Sequence, residues 1–293
     1  MHGIKVVGKF VVAVLVAALT TVVSARAQQS PATNPAPAAG QAQPAPAAQA
    51  AQPAQPTQPA QPAQPPQAPA PSNPEGKALI GKVVKAMGGV DKLSQVHALR
   101  LKASVDAKTP QGEFNLDLEE LEAFPDRMWQ KAVTPMGDIV IVTTPSVGFM
   151  AAPQGTQDLP TEQKDEGVKE LRRNEVFIAQ HLDDPKYTFT ATGTAKVGNV
   201  DAQILDVDAD GALVRWYVDP QSGRILRRDA HIVDMGGPAD QVLDFSDWKE
   251  FAGISFPTKA RITREGQDGG SVEVEQVDIN PTVDEKLFVR PAD

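Results

Sequence analysis

The sequence predicts an antiparallel α+β domain over residues 75–293, with about ten to twelve strands and two main helices. Three observations predict it. Apolar residues recur at helical spacing in only two stretches. Short alternating runs bounded by Gly, Asn and Asp fill the rest. Consecutive runs are joined by connections too short for parallel crossovers, so neighbouring strands form hairpins.

The first helix starts at Glu75, where Leu79, Ile80, Val83, Val84 and Met87 form one apolar stripe and Gly88-Gly89 supplies the left-handed stop. A short turn with Asp91 and Leu93 follows. Strands are expected around His97–Lys108, Glu113–Phe124, Arg127–Val133, Asp138–Thr143 and Gly148–Ala151. In Phe114-Asn115-Leu116-Asp117-Leu118-Glu119 the alternation buries one face and wets the other. A second helix is expected over 160–182, because Val168, Leu171, Ile178 and Leu182 share a face behind the start signal Asp158 and Pro160. Strands resume around Tyr187–Val197, Ala202–Val207, Leu213–Val218, Arg224–Val233, Gln241–Asp247, Ser255–Arg264 and Ser271–Ile279. Turns are expected at Gly198-Asn199, Asp210-Gly211, Gln221-Ser222-Gly223, Gly236-Gly237 and Gly269-Gly270.

Two unlike segments precede this domain. Residues 1–27 carry Lys5 and Lys9, then an apolar run from Phe10 to Val23, then Ala25-Arg26-Ala27, the order of a cleavable export signal. The apolar run is shorter than the roughly 20 residues a membrane helix needs. The expectation is cleavage after Ala27, with an uncleaved anchor as the alternative. Residues 28–74 contain 15 Ala, 14 Pro and 11 Gln and no charge, a composition with nothing to bury and few donors for helix or sheet. A Pro-rich disordered spacer is expected, either a tether or a solubilising tail, reaching roughly 150 Å at about 3.1 Å per residue. The chain has no cysteine, which excludes disulfides and a lipidated cysteine. The expected location is the periplasm or the exterior.

All 37 acidic residues but only 25 of the 28 basic ones fall in 75–293, a net charge of −12. Such a surface repels phosphate backbones and anionic leaflets, so nucleic-acid binding and electrostatic membrane adsorption are poor hypotheses. Catalytic grammar is missing as well. His97, His181 and His231 stand in separate segments without His-x-x-x-His spacing, and there is no nucleophile elbow, phosphate loop or dinucleotide fingerprint. Asp206-Val207-Asp208-Ala209-Asp210-Gly211 opens like a calcium loop, but its twelfth position is Tyr217 and it lies between two strands. It reads as turn chemistry. No metal, cofactor or enzymatic activity is expected.

A covering argument leaves two outcomes open. Ten strands about 4.8 Å apart and about 25 Å long present on the order of 1,200 Å² per face. Helices of about 13 and 23 residues cover only about 540 Å². Either the sheet closes on itself or a concave apolar groove awaits a ligand. Candidates to line it are Phe114, Leu116, Trp129, Phe149, Phe189, Trp216 and Phe256, with ordinary core packing as the alternative. Trp216 shares an inward face with Val214 and Val218.

The C-terminal half carries a resemblance. Val218-Asp219-Pro220-Gln221-Ser222-Gly223-Arg224-Ile225, Asp244-Phe245-Ser246-Asp247-Trp248, Gly253-Ile254-Ser255-Phe256-Pro257, and Ile279-Asn280-Pro281 followed by Leu287-Phe288 resemble successive strands of the LolA/LolB-like lipoprotein-carrier superfamily. Ala86-Met87-Gly88-Gly89 and Leu93 are similar to the start of related exported domains. The resemblance implies an α+β fold with a strongly curved antiparallel sheet or unclosed β-barrel and the two main helices as lid, holding acyl chains of a lipid or acylated lipoprotein. It assigns Asp219, Gly223, Gly253, Pro257, Asn280 and Phe288 to structure. A protein or peptide partner in the same groove, in an envelope sensor or accessory module, is the alternative.

Overall fold

The computed structural model describes residues 70–109 and 112–291. The expected export signal and the spacer up to residue 69 lie outside them. Thirteen strands form one antiparallel sheet: β1 (Ala98–Thr109), β2 (Gly112–Ala123), β3 (Arg127–Thr134), β4 (Gly137–Thr143), β5 (Gly148–Ala152), β6 (Gly155–Asp158), β7 (Tyr187–Val197), β8 (Val200–Ala209), β9 (Ala212–Val218), β10 (Ile225–Asp234), β11 (Gly237–Phe251), β12 (Ile254–Arg264) and β13 (Gln267–Ile279). Four α-helices accompany it: α1 (Pro74–Met87), α2 (Val90–Leu93), α3 (Thr161–Arg172) and α4 (Glu175–Ala179), with a 3-10 helix at Glu285–Phe288. The strand order is β6-β5-β4-β3-β2-β1-β13-β12-β11-β10-β9-β8-β7, so β6 and β7 are free edges and the barrel is unclosed.

Contacts of α3 reveal how far the sheet bends. This 12-residue helix touches β3, β4 and β5 on one side and β9 and β10 on the other. Along the sheet, β3 and β10 are six strand spacings apart, about 29 Å. A helix about 10 Å wide meets both only if the sheet wraps around it. Helix α1 lies under the same concave face, on β7, β8 and β12.

Local chemistry sets the helix ends. Asn73 caps α1 by accepting from the Gly76 N–H at 2.7 Å, Pro74 takes the first helical position, and Gly88 ends the helix at φ 129°. Leu79, Ile80, Val83, Val84 and Met87 are all buried, as their spacing predicts. Residues 70–73 seal part of the outer edge of β7: Asn73 N donates to Phe189 O at 3.1 Å, and Phe189 N donates to Ser72 Oγ at 3.0 Å.

Three expectations are corrected. The helix expected over 160–182 is two helices, interrupted at Arg173-Asn174, where Asn174 Oδ1 accepts from Val176 N and starts α4. The strand count is thirteen because Gly155–Asp158, too short and polar to read as a strand, pairs on β5 as the edge strand β6. Gly269-Gly270 is strand rather than turn. The chain reverses at Glu265-Gly266, both at positive φ, and a Cβ on Gly270 would stand 1.7 Å from Asp106 O of β1. Glycine is there to let β13 approach β1.

Candidate functional site

The concave face holds one continuous apolar cluster reaching from α1 through β1, β2, β9 and β10 to β13. Leu116, Phe189, Trp216 and Phe256 belong to it and are buried, and half-buried Phe114 packs against it. Trp129 and Phe149 lie elsewhere. Register places Leu121, Trp129, Val142 and Phe149 in one row across β2 to β5 on the convex face, covered by Phe288 of the 3-10 helix. That helix is held down by an Arg127–Glu285 ion pair and by the Arg127 guanidinium 4.9 Å from the Phe288 ring centre. The seven candidates therefore occupy two faces.

Beside the concave apolar cluster lies a polar patch beneath α3 and α4, which the sequence reading did not single out. Glu120 and Glu122 of β2 are fully buried, on the same face as Leu116 and Leu118. Around them stand Gln130 of β3, Thr143 of β4, Glu166, Glu170 and Arg173 on and after α3, Asn174 and Glu175 of α4, and Arg228 of β10, all buried. Glu170 receives Arg228 and, at 3.1 Å, Arg173, which also pairs with Glu166. Gln130 donates to Glu120, and Asn174 Nδ2 donates to Glu122 Oε2 at 2.7 Å.

The electrostatics split these carboxyls into two kinds. Burial alone would raise Glu170, but the guanidiniums of Arg228 and Arg173 outweigh it and hold the group below its usual range. Among the described residues no guanidinium is ion-paired with Glu120 or Glu122. Burial, together with the Glu122 charge, pushes Glu120 well above the usual carboxylate range. Burial, with Glu175 and Glu170 adding to it, pushes Glu122 up to about 8 against the opposing Asn174 hydrogen bond and Arg228. Glu166 and Glu170 take the two guanidiniums, and the β2 pair is ion-paired with neither.

Elsewhere the chemistry is structural. Asp206 accepts from Arg215 Nε at 2.6 Å, Asp208 Oδ1 accepts from the Gly211 N–H at 2.7 Å, and Asp210 sits in the β8–β9 turn at φ 53°, so the three aspartates do not converge. Among the described residues no group of three or more His, Cys, Asp or Glu is placed to hold a metal. His181 stacks on Tyr187 with centroids 4.8 Å apart, while exposed His231 meets Asp240 at 2.8 Å. A hollow of about 280 Å³ on the convex face is bordered by Lys102, Asp117, Glu119 and Lys131, a charged rim unlike the apolar interior. No helix among the described residues is long and apolar enough to cross a membrane.

Of the motif positions of the C-terminal half, Asp219, Gly223, Gly253 and Asn280 stand at strand ends, Pro257 lies within β12 and Phe288 in the 3-10 helix. Asp219 organises the β9–β10 turn, accepting from Gln221 N at 2.9 Å and Ser222 Oγ at 2.5 Å, while Gly223 lets the turn rest on Lys82 of α1. Asn280 Oδ1 accepts from the His97 N–H at 2.8 Å and its Nδ2 donates to Gln95 O at 2.8 Å, tying the end of β13 to the start of β1. These motifs lie on an unclosed antiparallel half-barrel, the architecture that the LolA/LolB-like resemblance implies.

No protein-family profile and no curated protein matches the chain. Among solved structures it is similar to an outer membrane lipoprotein-sorting protein domain from Vibrio parahaemolyticus, at 13% identity and TM-score 0.48 over 73% of this chain and 96% of that one. It is also similar to a LolA superfamily protein from Nitrosomonas europaea, at 11% identity and TM-score 0.47 over 73% and 97%.

Proposed function

We propose that the chain is an exported carrier that holds an acyl chain, of a lipid or of an acylated protein, inside the half-barrel and does not transform it. The observation that supports this reading most is the pairing of a thirteen-stranded sheet, open between β6 and β7, with an inner face that carries one continuous apolar cluster beside the polar patch. Among the described residues, helices of 14, 4, 12 and 5 residues roof it. Each methylene moved from water into that interior contributes about 0.8 kcal/mol, so a single chain gives reversible affinity without a polar headgroup site.

Leu116, Phe189, Trp216 and Phe256 touch their neighbours in the structure, so a guest enters by separating helices from the sheet. Helix α3 is the element suited to move. Its buried face is Glu166, Gly167, Glu170 and Leu171, and it is fastened by polar contacts more than by apolar area. The net negative domain surface disfavours adhesion to anionic leaflets, which suits a shuttle.

Titration of the purified protein with a fluorescent fatty acid is the test, together with mass spectrometry of lipids retained on purification. Saturable binding at micromolar concentration, weakened by Trp216→Ala, is expected. A folded protein that neither retains lipid nor binds the probe overturns the reading, and a stoichiometric protein partner in its place favours an interaction module.

A further inference from the structure

We propose that Glu120 and Glu122 form a proton latch that keeps α3 and α4 on the sheet while both carboxyls are neutral and releases the two helices when the pair ionises. The relevance of the latch to cargo entry rests on the carrier reading, but the latch itself is tested without any lipid.

Geometry carries the inference. Both carboxyls are shut off from water at the β2 end of the concave face, and one oxygen of each, Glu120 Oε1 and Glu122 Oε1, has no hydrogen-bond partner among the described residues. A neutral acid tolerates one idle oxygen, whereas a carboxylate in that position forfeits hydration worth far more than a single hydrogen bond returns.

The groups facing the pair from each packed element can be named. Gln130 approaches from β3 and Thr143 from β4. Glu170 comes from α3, with Arg173 and Glu166 paired beside it, Asn174 and Glu175 from the start of α4, and Arg228 from β10. Both guanidiniums are already engaged, Arg173 by Glu166 and Glu170, Arg228 by Glu170. Two of the facing groups, Glu170 and Glu175, are themselves acids, so a new negative charge on β2 meets repulsion from the helices above it. Burial holds Glu122 up to about 8, which puts its ionisation in the mildly alkaline range.

Water reaches the pair at least cost if α3 and α4 lift. They are the covering elements: α3 is held chiefly by the ion pairs of Glu170 and Arg173, while α4 is joined to β2 by the amide bond from Asn174 to Glu122 and also buries Val176, Phe177 and Ile178 in the apolar cluster. The sign follows from linkage. The closed form binds a proton that the hydrated form has lost, so closure is favoured fully below the ordinary glutamate range and is lost as pH rises toward 8.

The chain has no cysteine, so two introduced cysteines can be spin-labelled uniquely: Lys169→Cys on α3 and Glu273→Cys on the exposed face of β13. Pulsed dipolar distances are measured on the full chain from pH 6 to pH 9. One short distribution is expected at pH 6, with a longer one whose share relative to the first grows up to about tenfold per pH unit for each proton released. In Glu120→Gln/Glu122→Gln the short distribution persists at pH 9. An unchanged distribution in the parent at pH 9, growth of the long one in the Gln variant, or loss of the β-sheet circular dichroism at pH 9 overturns the latch. Carboxyl-carbon resonances of the parent give a readout free of substitutions at the pair: two glutamates still neutral at pH 6 support it, and all glutamates ionised at pH 6 overturn it.

Discussion

Asn174 Nδ2 lies 2.7 Å from Glu122 Oε2 and donates to it, while Asn174 Oδ1, 2.8 Å from the Val176 N–H, caps α4. One amide therefore ends the reach of α3, begins α4 and fixes both to β2. Replacing Asn174 by Ala removes a cap and a buried donor together, an expected loss of about 2 to 4 kcal/mol in urea unfolding. Asn174→Ser keeps a capping oxygen but cannot span to Glu122, so its loss is expected to fall between the parent and the Ala variant.

Helix α1 meets β7 through a glycine. A Cβ on Gly76 would stand 2.2 Å from the carbonyl oxygen of Phe189, a backbone atom fixed by its strand. Gly76→Ala is expected to destabilise by at least about 2 kcal/mol despite alanine's better helix propensity. A lowered midpoint in thermal or urea unfolding checks this.

At Gly167 the same argument concerns α3. A Cβ there would meet Thr143 Cγ2 at 2.6 Å and Oγ1 at 2.7 Å, and threonine's short side chain has little room to yield. Gly167→Ala is expected to weaken docking of α3 on β4, read as faster amide exchange in Thr161–Arg172 with the exchange of β1 and β13 unchanged.

Trp216 is fully buried, and its indole N–H has no acceptor among the described residues. Trp216→Phe therefore removes volume without breaking a hydrogen bond, and a cost below about 1.5 kcal/mol is expected. Trp216→Ala leaves a cavity and is expected to cost about 3 to 5 kcal/mol. Unfolding curves of the two variants separate these effects.

Asp229 of β10 accepts from Tyr217 Oη at 2.9 Å, and burial is the main cause that pushes it up to about 6. A raised carboxyl contributes stability that is present below the ordinary aspartate range and is lost as pH rises through 6. Asp229→Asn keeps an acceptor for Tyr217 and removes the titration. The stability of the variant relative to the parent is expected to increase from pH 4 to pH 7, measured by urea unfolding at each pH.

Much of this architecture was legible because it depends on local rules. The stripe Leu79, Ile80, Val83, Val84 and Met87 specifies a helix face, and Asp210-Gly211 is the turn between β8 and β9. The break at Asn174 was not legible, since Val168, Leu171, Ile178 and Leu182 fit one helical face as well as two. The polar patch left a mark that went unread. In β2 the apolar phase switches between Leu118 and Leu121, so Glu120 and Glu122 fall on the inner face while Leu121 and Ala123 face outward under Phe288. A change of phase within one strand says that the two faces exchange environments, but not what covers each.

The sequence by itself determined the number and kind of most elements, the antiparallel hairpins and the inward side of residues such as Trp216, because helix and strand periodicities and turn preferences act over a few residues. Tertiary structure alone decided that Trp129 and Phe149 lie behind the sheet, that β3 and β10 curl around one helix, and that two glutamates are closed off beneath it. Those outcomes join segments dozens of residues apart, and they depend on which surfaces exclude water from one another, a property no single stretch of chain possesses.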